Sequence, residues 1–121
     1  MRALLDTNIL IDYLNGVAAA QEEIRRYEQP LISAITWMEV MNGAKGDEEP
    51  LVRAFLGRFS QVAIDQAVAE RAVIIRRENR LRLPDAIIWA SAQREKALLV
   101  SRNSKDFPAD SPGVRVPYQI G

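Results

Sequence analysis

Five short apolar runs punctuate this chain, and each is bounded by a polar or turn-forming residue. Residues 2–5 stop at Asp6, Leu31–Ile35 follows Pro30, Gln61–Ile64 stops at Asp65, Ala97–Val100 stops at Ser101, and Val114–Val116 precedes Pro117. Runs this short read as strands buried in a parallel sheet. Parallel neighbours need crossovers, and the stretches between the runs carry helical patterns. These are Asn8–Asn15, Val17–Glu28 after a break at Gly16, Ala34–Ala44, a segment from Asp47 to about Phe59, Gln66–Leu81 and Pro84–Lys96. Ala34, Met38 and Met41 share helical spacing, as do Val68, Ala72 and Ile75. Asp47 reads as an N-cap, with Pro50 in the first turn behind it. The last helix is apolar nearly all round through Ala86-Ile87-Ile88-Trp89-Ala90, which marks a central, buried helix. Trp37 and Trp89 both sit inside apolar helical runs and read as core. Alternating strands and helices predict an α/β fold, a three-layer sandwich with a central parallel sheet of about five strands flanked by helices. The 121 residues suit a single domain, 1–121. Asn103–Gly113, rich in Pro, Ser, Asp and Gly, predicts an irregular loop before a final edge strand.

Two absences bound the chemistry. The chain has no Cys and no His. Cys/His zinc sites, Ser-His-Asp and Cys-His catalysis, and histidine pH switches are all excluded. What remains is carboxylates, amides, hydroxyls, Lys, Arg, or a hard metal held by oxygen. Sixteen basic and sixteen acidic residues cancel, which argues against a strong non-specific polyanion binder. No window approaches the length of an apolar membrane span, and the N-terminus lacks the pattern of a signal peptide. The expectation is a cytoplasmic protein with no membrane partner.

Ligand sites in such sheets form at the carboxyl ends of the strands. Polar residues there are Asp6 after the first strand, Asp65 after the third, and Ser101, Arg102, Asn103 and Asp106 after the fourth. Glu39 is the only charge between Pro30 and Lys45, and Asp85 lies in the first turn of the most apolar helix. Each has a plain structural role available: Asp6 and Asp65 as N-caps, Asp85 as a partner for the helix dipole, Asp106 as a solvated loop acid. Asp12, inside the first helix, has the weakest claim. Taken together, Asp6, Glu39, Asp85 and Asn103 or Asp106 fall on four elements that converge on one sheet edge. Two like charges 4 Å apart repel by about 4 kcal/mol at an effective dielectric of 20. Such a cluster shifts its protonation or takes up cations, and all-oxygen donors select Mg2+ or Mn2+.

The segments LLDTNILIDYL, ISAITWMEVMNG, LPDAIIWASA and LLVSRNSKDF, in this order and spacing, resemble the PIN domain, and in detail the VapC-type toxins of bacterial toxin–antitoxin pairs. The resemblance spans essentially the whole chain. It implies a metal-dependent endoribonuclease that hydrolyses RNA phosphodiesters with metal-activated water. It maps the family's acids onto Asp6, Glu39 and Asp85, with Mg2+ (or Mn2+) as the cofactor. Asn103 stands where many relatives carry Asp, and Asp106 follows three residues on; one of the two completes the set. The lost charge at Asn103 implies one firmly held ion and a weaker second site. Thr7, Asn8 and Ser101 match supporting positions, the Asn8 amide orienting the first acid. Arg102, beside the site, is the candidate for phosphate contact. Arg71, Arg76, Arg77, Arg80 and Arg82 crowd one segment with Glu70 and Glu78, and read as a solvated face with local ion pairs.

The resemblance further implies a homodimer, a VapB-like antitoxin partner, and operator DNA reached only through that antitoxin. Ile9, Leu10, Tyr13 and Leu14 are candidates for those contacts, although part of the set must be core. Three alternatives compete. A degenerate PIN domain would only bind its partner. A phosphoryl-receiver domain would accept phosphate on Asp65 and use Lys105. A haloacid-dehalogenase-type phosphatase would need an acid where Asn8 stands.

Overall fold

The computed structural model describes residues 2–120; the two ends of the expected 1–121 domain, residues 1 and 121, lie outside the described residues. Among the described residues there are five strands and six α-helices. Strands β1 (Ala3–Leu5), β2 (Leu31–Ser33), β3 (Ser60–Val62), β4 (Leu98–Val100) and β5 (Val114–Arg115) form one parallel sheet in the order β3-β2-β1-β4-β5.

The pleat sorts side chains between two layers of helices. Leu4, Leu31 and Leu99 face the layer of α5 (Gln66–Asn79) and α6 (Leu83–Arg94). Leu5, Ile32 and Val100 face the layer of α1 (Thr7–Leu14), α2 (Ala18–Arg25), α3 (Ala34–Gly43) and α4 (Glu49–Leu56). Burial on both faces explains why the central strands are continuously apolar. Each such Leu or Val contributes about 1.5–3 kcal/mol relative to exposure. Val68, Ala72 and Ile75 form the buried stripe of α5, as the periodicity predicts.

Several local expectations are corrected. The third strand is Ser60–Val62 rather than Gln61–Ile64. As an edge strand it exposes Ser60 and Gln61, so only Val62 joins the core. Asp47 does not cap α4. It lies in a one-turn 3-10 segment, Gly46–Glu48, and α4 starts from Glu48 with no side-chain cap. That helix stops at Leu56, freeing Phe59 to turn into the core beside Phe55. The buried residues of α3 are Thr36 and Val40, whereas Met38 is exposed. Ile9 and Leu10 are fully buried, and Tyr13 stacks on Phe55 at 4.7 Å; Ile11 and Leu14 are the exposed apolar residues of α1. Trp37 and Trp89 are half-buried, Trp37 beneath Arg53 and Trp89 edge-on to the fully buried Phe107.

The strand order fixes where a ligand can reach the sheet. From β1 the chain moves outward to β2 and β3, then returns to the other side of β1 to lay down β4 and β5. The crossovers diverge between β1 and β4, opening a crevice at their carboxyl ends. Asp6 ends β1 and Ser101 ends β4, one on each side of it. The Asp6 amide donates to the Val100 carbonyl at 2.8 Å, so the ladder runs to the rim of the crevice.

Candidate active site

Asp6 is the N-cap of α1 and is 4% exposed. Its carboxylate accepts from Thr7 N (2.7 Å), Asn8 Nδ2 (3.1 Å) and Ser101 Oγ (2.7 Å). The capping role and the site role are therefore compatible in one residue. Burial pushes its pKa up to about 6; the Ser101 and Thr7 bonds oppose that shift, while the charges of Asp85 and Glu39 add to it.

The supporting residues hold this arrangement. Asn8 lies across the crevice, donating to Asp6 and to Ser101 Oγ (3.3 Å) while accepting from Arg102 N. Ser101, wholly buried, also accepts from Asn103 N at 3.0 Å. Thr7 Oγ1 lies 2.7 Å from Glu39 Oε1 and 3.0 Å from Thr36 Oγ1, tying α1 to α3. Thr36, fully buried, has no sequence signature beyond its place in an apolar helix.

Glu39 is exposed, and Asp85 is buried at the head of α6. Burial raises the Asp85 pKa, Arg82 opposes that, and the charges of Asp106 and Glu39 reinforce it. Asp6, Glu39, Asp85 and Asp106 are thus electrostatically coupled across the crevice. Asn103 plays a different part. Its Nδ2 donates to Asp106 Oδ2 at 2.8 Å and its Oδ1 accepts from Asp106 N, so both ends of the amide are spent on orienting Asp106. Among the described residues no three acids converge closely enough to grip one ion as they stand. The donor set still fits a hard divalent cation in kind: every candidate ligand is an oxygen, and two of the acids have pKa values raised by burial and by neighbouring carboxylates.

Arg102 is not free to meet a phosphate. Its Nε and Nη2 both bond the Asp12 carboxylate, which also accepts from Tyr118 OH at 2.8 Å. Asp12, the acid with the weakest sequence claim, is 4% exposed and anchors the loop after β4 onto α1. Its position inside an apolar helix was the available signal. A second buried carboxylate, Glu23, clamps β5 through Arg115 and also accepts from Tyr27. Arg82, just ahead of α6, donates from Nε to Asp85 Oδ2 at 3.3 Å. Its side chain is 77% exposed, so the pair contributes about 0–1 kcal/mol. A cation at the positive end of a helix dipole costs a comparable amount, about 0.3–1 kcal/mol.

Asp65 lies apart from these acids. It caps α5 through Val68 N at 2.9 Å and pairs with Arg94. A receiver-type phosphoacceptor needs to share a site with the other acids, which this position at an edge strand does not provide. A separate cleft of about 740 Å3 runs along the edge strand β3 and past the amino ends of β1 and β2, and contains the pairs Arg2–Glu95 and Arg94–Asp65. It holds none of the four coupled acids.

Comparison with known proteins adds to this geometry. The PIN domain family model matches residues 3–109. Ribonuclease VapC10 of Mycobacterium tuberculosis is 31% identical over 113 residues, covering 87% of this chain and 85% of that protein. A chain of a toxin–antitoxin complex from Klebsiella pneumoniae superimposes with a TM-score of 0.92 at 49% identity, over 98% of this chain and 99% of that one. A chain of DNA-bound VapBC from Salmonella typhimurium gives a TM-score of 0.76 at 25% identity, over 95% and 96% of the two chains.

Proposed function

The chain belongs to the PIN-domain family, and on that premise we propose that it is the ribonuclease toxin of a VapBC-type toxin–antitoxin pair. The observation that carries this reading is the set of coupled acids at the switch point of the sheet, in a chain that aligns with a named ribonuclease over most of its length. Asp6, Glu39, Asp85 and Asp106 are the residues that would hold Mg2+ or Mn2+, with Asn103 orienting Asp106. A bound cation supplies a Lewis acid for an RNA phosphate and lowers the pKa of water. The protein's own part is positional. Ser101, Asn8 and the Thr7 amide hold the Asp6 carboxylate, and the Thr7 hydroxyl, itself bonded to Thr36, holds Glu39 against the same crevice.

A VapB-like antitoxin is the partner this reading requires, with operator DNA bound through the antitoxin. A second copy of the chain completes the assembly. Ile11 and Leu14 on α1, Met38 on α3 and Leu51 on α4 leave apolar surface on neighbouring helices for such contacts. Among the described residues no helix is long and apolar enough to cross a membrane.

Expression in a bacterial host tests the reading. The wild-type chain is expected to arrest growth, Asp85→Asn to permit it, and both to bind the cognate antitoxin equally. Arrest that persists in folded Asp85→Asn would exclude the acid site as its cause. Acidity supplies a second test, because a protonated Asp6 cannot serve as a ligand. Mn2+ affinity, measured by calorimetry, is expected to weaken by up to about tenfold per pH unit below the Asp6 pKa. That pKa is about 6, so the affinity should level off above it.

A further inference from the structure

We propose that Arg82 is a phosphate-binding residue of the acid-lined crevice, taking a phosphate oxygen of RNA that lies beside the carboxylates. The proposal rests on the nuclease reading and names a contact that reading lacks. RNA brings one negative charge per nucleotide, and a crevice lined by four acids repels it. A cation of the protein at its rim offsets that repulsion on the side a bound metal ion does not cover.

The arginines near the crevice differ in their freedom. Arg102 is committed at two nitrogens to the buried Asp12, and Arg115 at two nitrogens to the buried Glu23. Arg82 makes one hydrogen bond, through Nε, among the described residues, and its terminal nitrogens carry no protein partner. Its side chain is largely in water, while the carboxylate it touches is almost wholly buried. A guanidinium held by one edge, with its outer fork open, suits bidentate capture of a phosphate. The pair with Asp85 uses only the Nε edge, so the two terminal nitrogens, which face water, add nothing to it. The extended backbone at Arg82 sets the side chain over the first turn of α6, where Asp85 lies. It can keep Asp85 beneath its Nε edge or release it to a cation without unfolding anything.

The test is RNA binding in EDTA, so that no cleavage occurs. The probe is a mixed-sequence single-stranded RNA oligonucleotide, followed by anisotropy over a salt series. Arg82→Ala is expected to weaken binding and to flatten the slope of log affinity against log salt by about 0.7, the value for one phosphate contact. Arg82→Lys is expected to retain the slope and part of the affinity. Mn2+ binding by Arg82→Ala is expected to be undiminished, because the lost group competes for Asp85 rather than supporting it. That result also shows the acids remain in place. An unchanged salt slope in folded Arg82→Ala overturns the proposal, and so does a wild-type chain that does not bind the probe at low salt. Cleavage by the wild type with an unchanged Arg82→Ala slope removes this contact and leaves the nuclease reading standing. Salt-dependent binding that needs Arg82, in a protein that cuts nothing, keeps the contact and removes the nuclease.

Discussion

Arg102→Ala is expected to cost about 3–5 kcal/mol of folding stability, because it strands a buried carboxylate without its counter-charge. Asp12 is 4% exposed and keeps only the Tyr118 hydroxyl once the guanidinium is gone. The two partners are not equivalent. The Arg102 side chain is 34% exposed and can hydrate part of its charge, so Asp12→Ala is expected to cost less than Arg102→Ala. Replacing both, with Asp12→Leu and Arg102→Met, is expected to recover much of the loss, since neither charge is left buried. Urea unfolding of the two single variants and the double variant measures all three quantities. A double variant less stable than Arg102→Ala would mean that the pair is worth more than its desolvation. Because Arg102 adjoins Ser101, lost activity in Arg102→Ala would report a loosened loop, and reading it as a lost phosphate contact would be an error.

Asp6→Asn is expected to move activity and stability in opposite directions. Losing a partner of a metal ligand costs roughly 10–100-fold, and losing the central carboxylate itself is expected to cost at least that much in RNA cleavage. The same substitution is expected to stabilise the fold near neutral pH without added cations. In the native state burial lifts the Asp6 pKa from 3.8 to about 6. Between those values the native protein holds a proton that the unfolded chain has released, so stability falls as pH rises through that window. Asn carries no such penalty. The gain is on the order of 1–3 kcal/mol above the window, at about 1.4 kcal/mol per pKa unit less whatever the three hydrogen bonds lose, and it vanishes below the window. Thermal unfolding at pH values on either side of the window checks the sign. A variant no more stable than wild type at neutral pH would mean that Asp6 is ionised at little cost in the native crevice.

Much of this was legible because parallel sheets write themselves plainly. Strands buried on both faces are mostly apolar, so β1 and β4 stood out as runs stopped by Asp6 and Ser101, while the run Leu31–Ile35 overshot β2 by two residues into α3, which Ser33 caps. The edge strand β3 was mis-set by one residue at its start and two at its end, since two of its three residues face water and its apolar pattern is thin. Around Asp47 a 3-10 turn replaced the expected cap in a stretch that is exposed throughout, so local backbone geometry rather than packing made that choice. At the site, the sequence pointed to Asp6, Glu39, Asp85 and one of Asn103 and Asp106. It could not say that Asn103 would turn both ends of its amide to Asp106, or that Arg102 would fold back onto Asp12. Both are choices between neighbouring polar partners, made by loop geometry that no spacing rule encodes. Asp12 shows the converse. A carboxylate on an apolar helix needs a partner, and the partner lies ninety residues away.

On the proposed function, the acids between β1 and β4 form a cation-dependent ribonuclease centre. Incubating purified, antitoxin-free protein with total cellular RNA tests it most directly, with Mg2+, Mn2+ and EDTA in parallel and Asp6→Asn as the control. Discrete fragments are expected with either cation, none in EDTA, and none from Asp6→Asn. Fragments that persist in EDTA, or that Asp6→Asn produces as well as wild type, would contradict it.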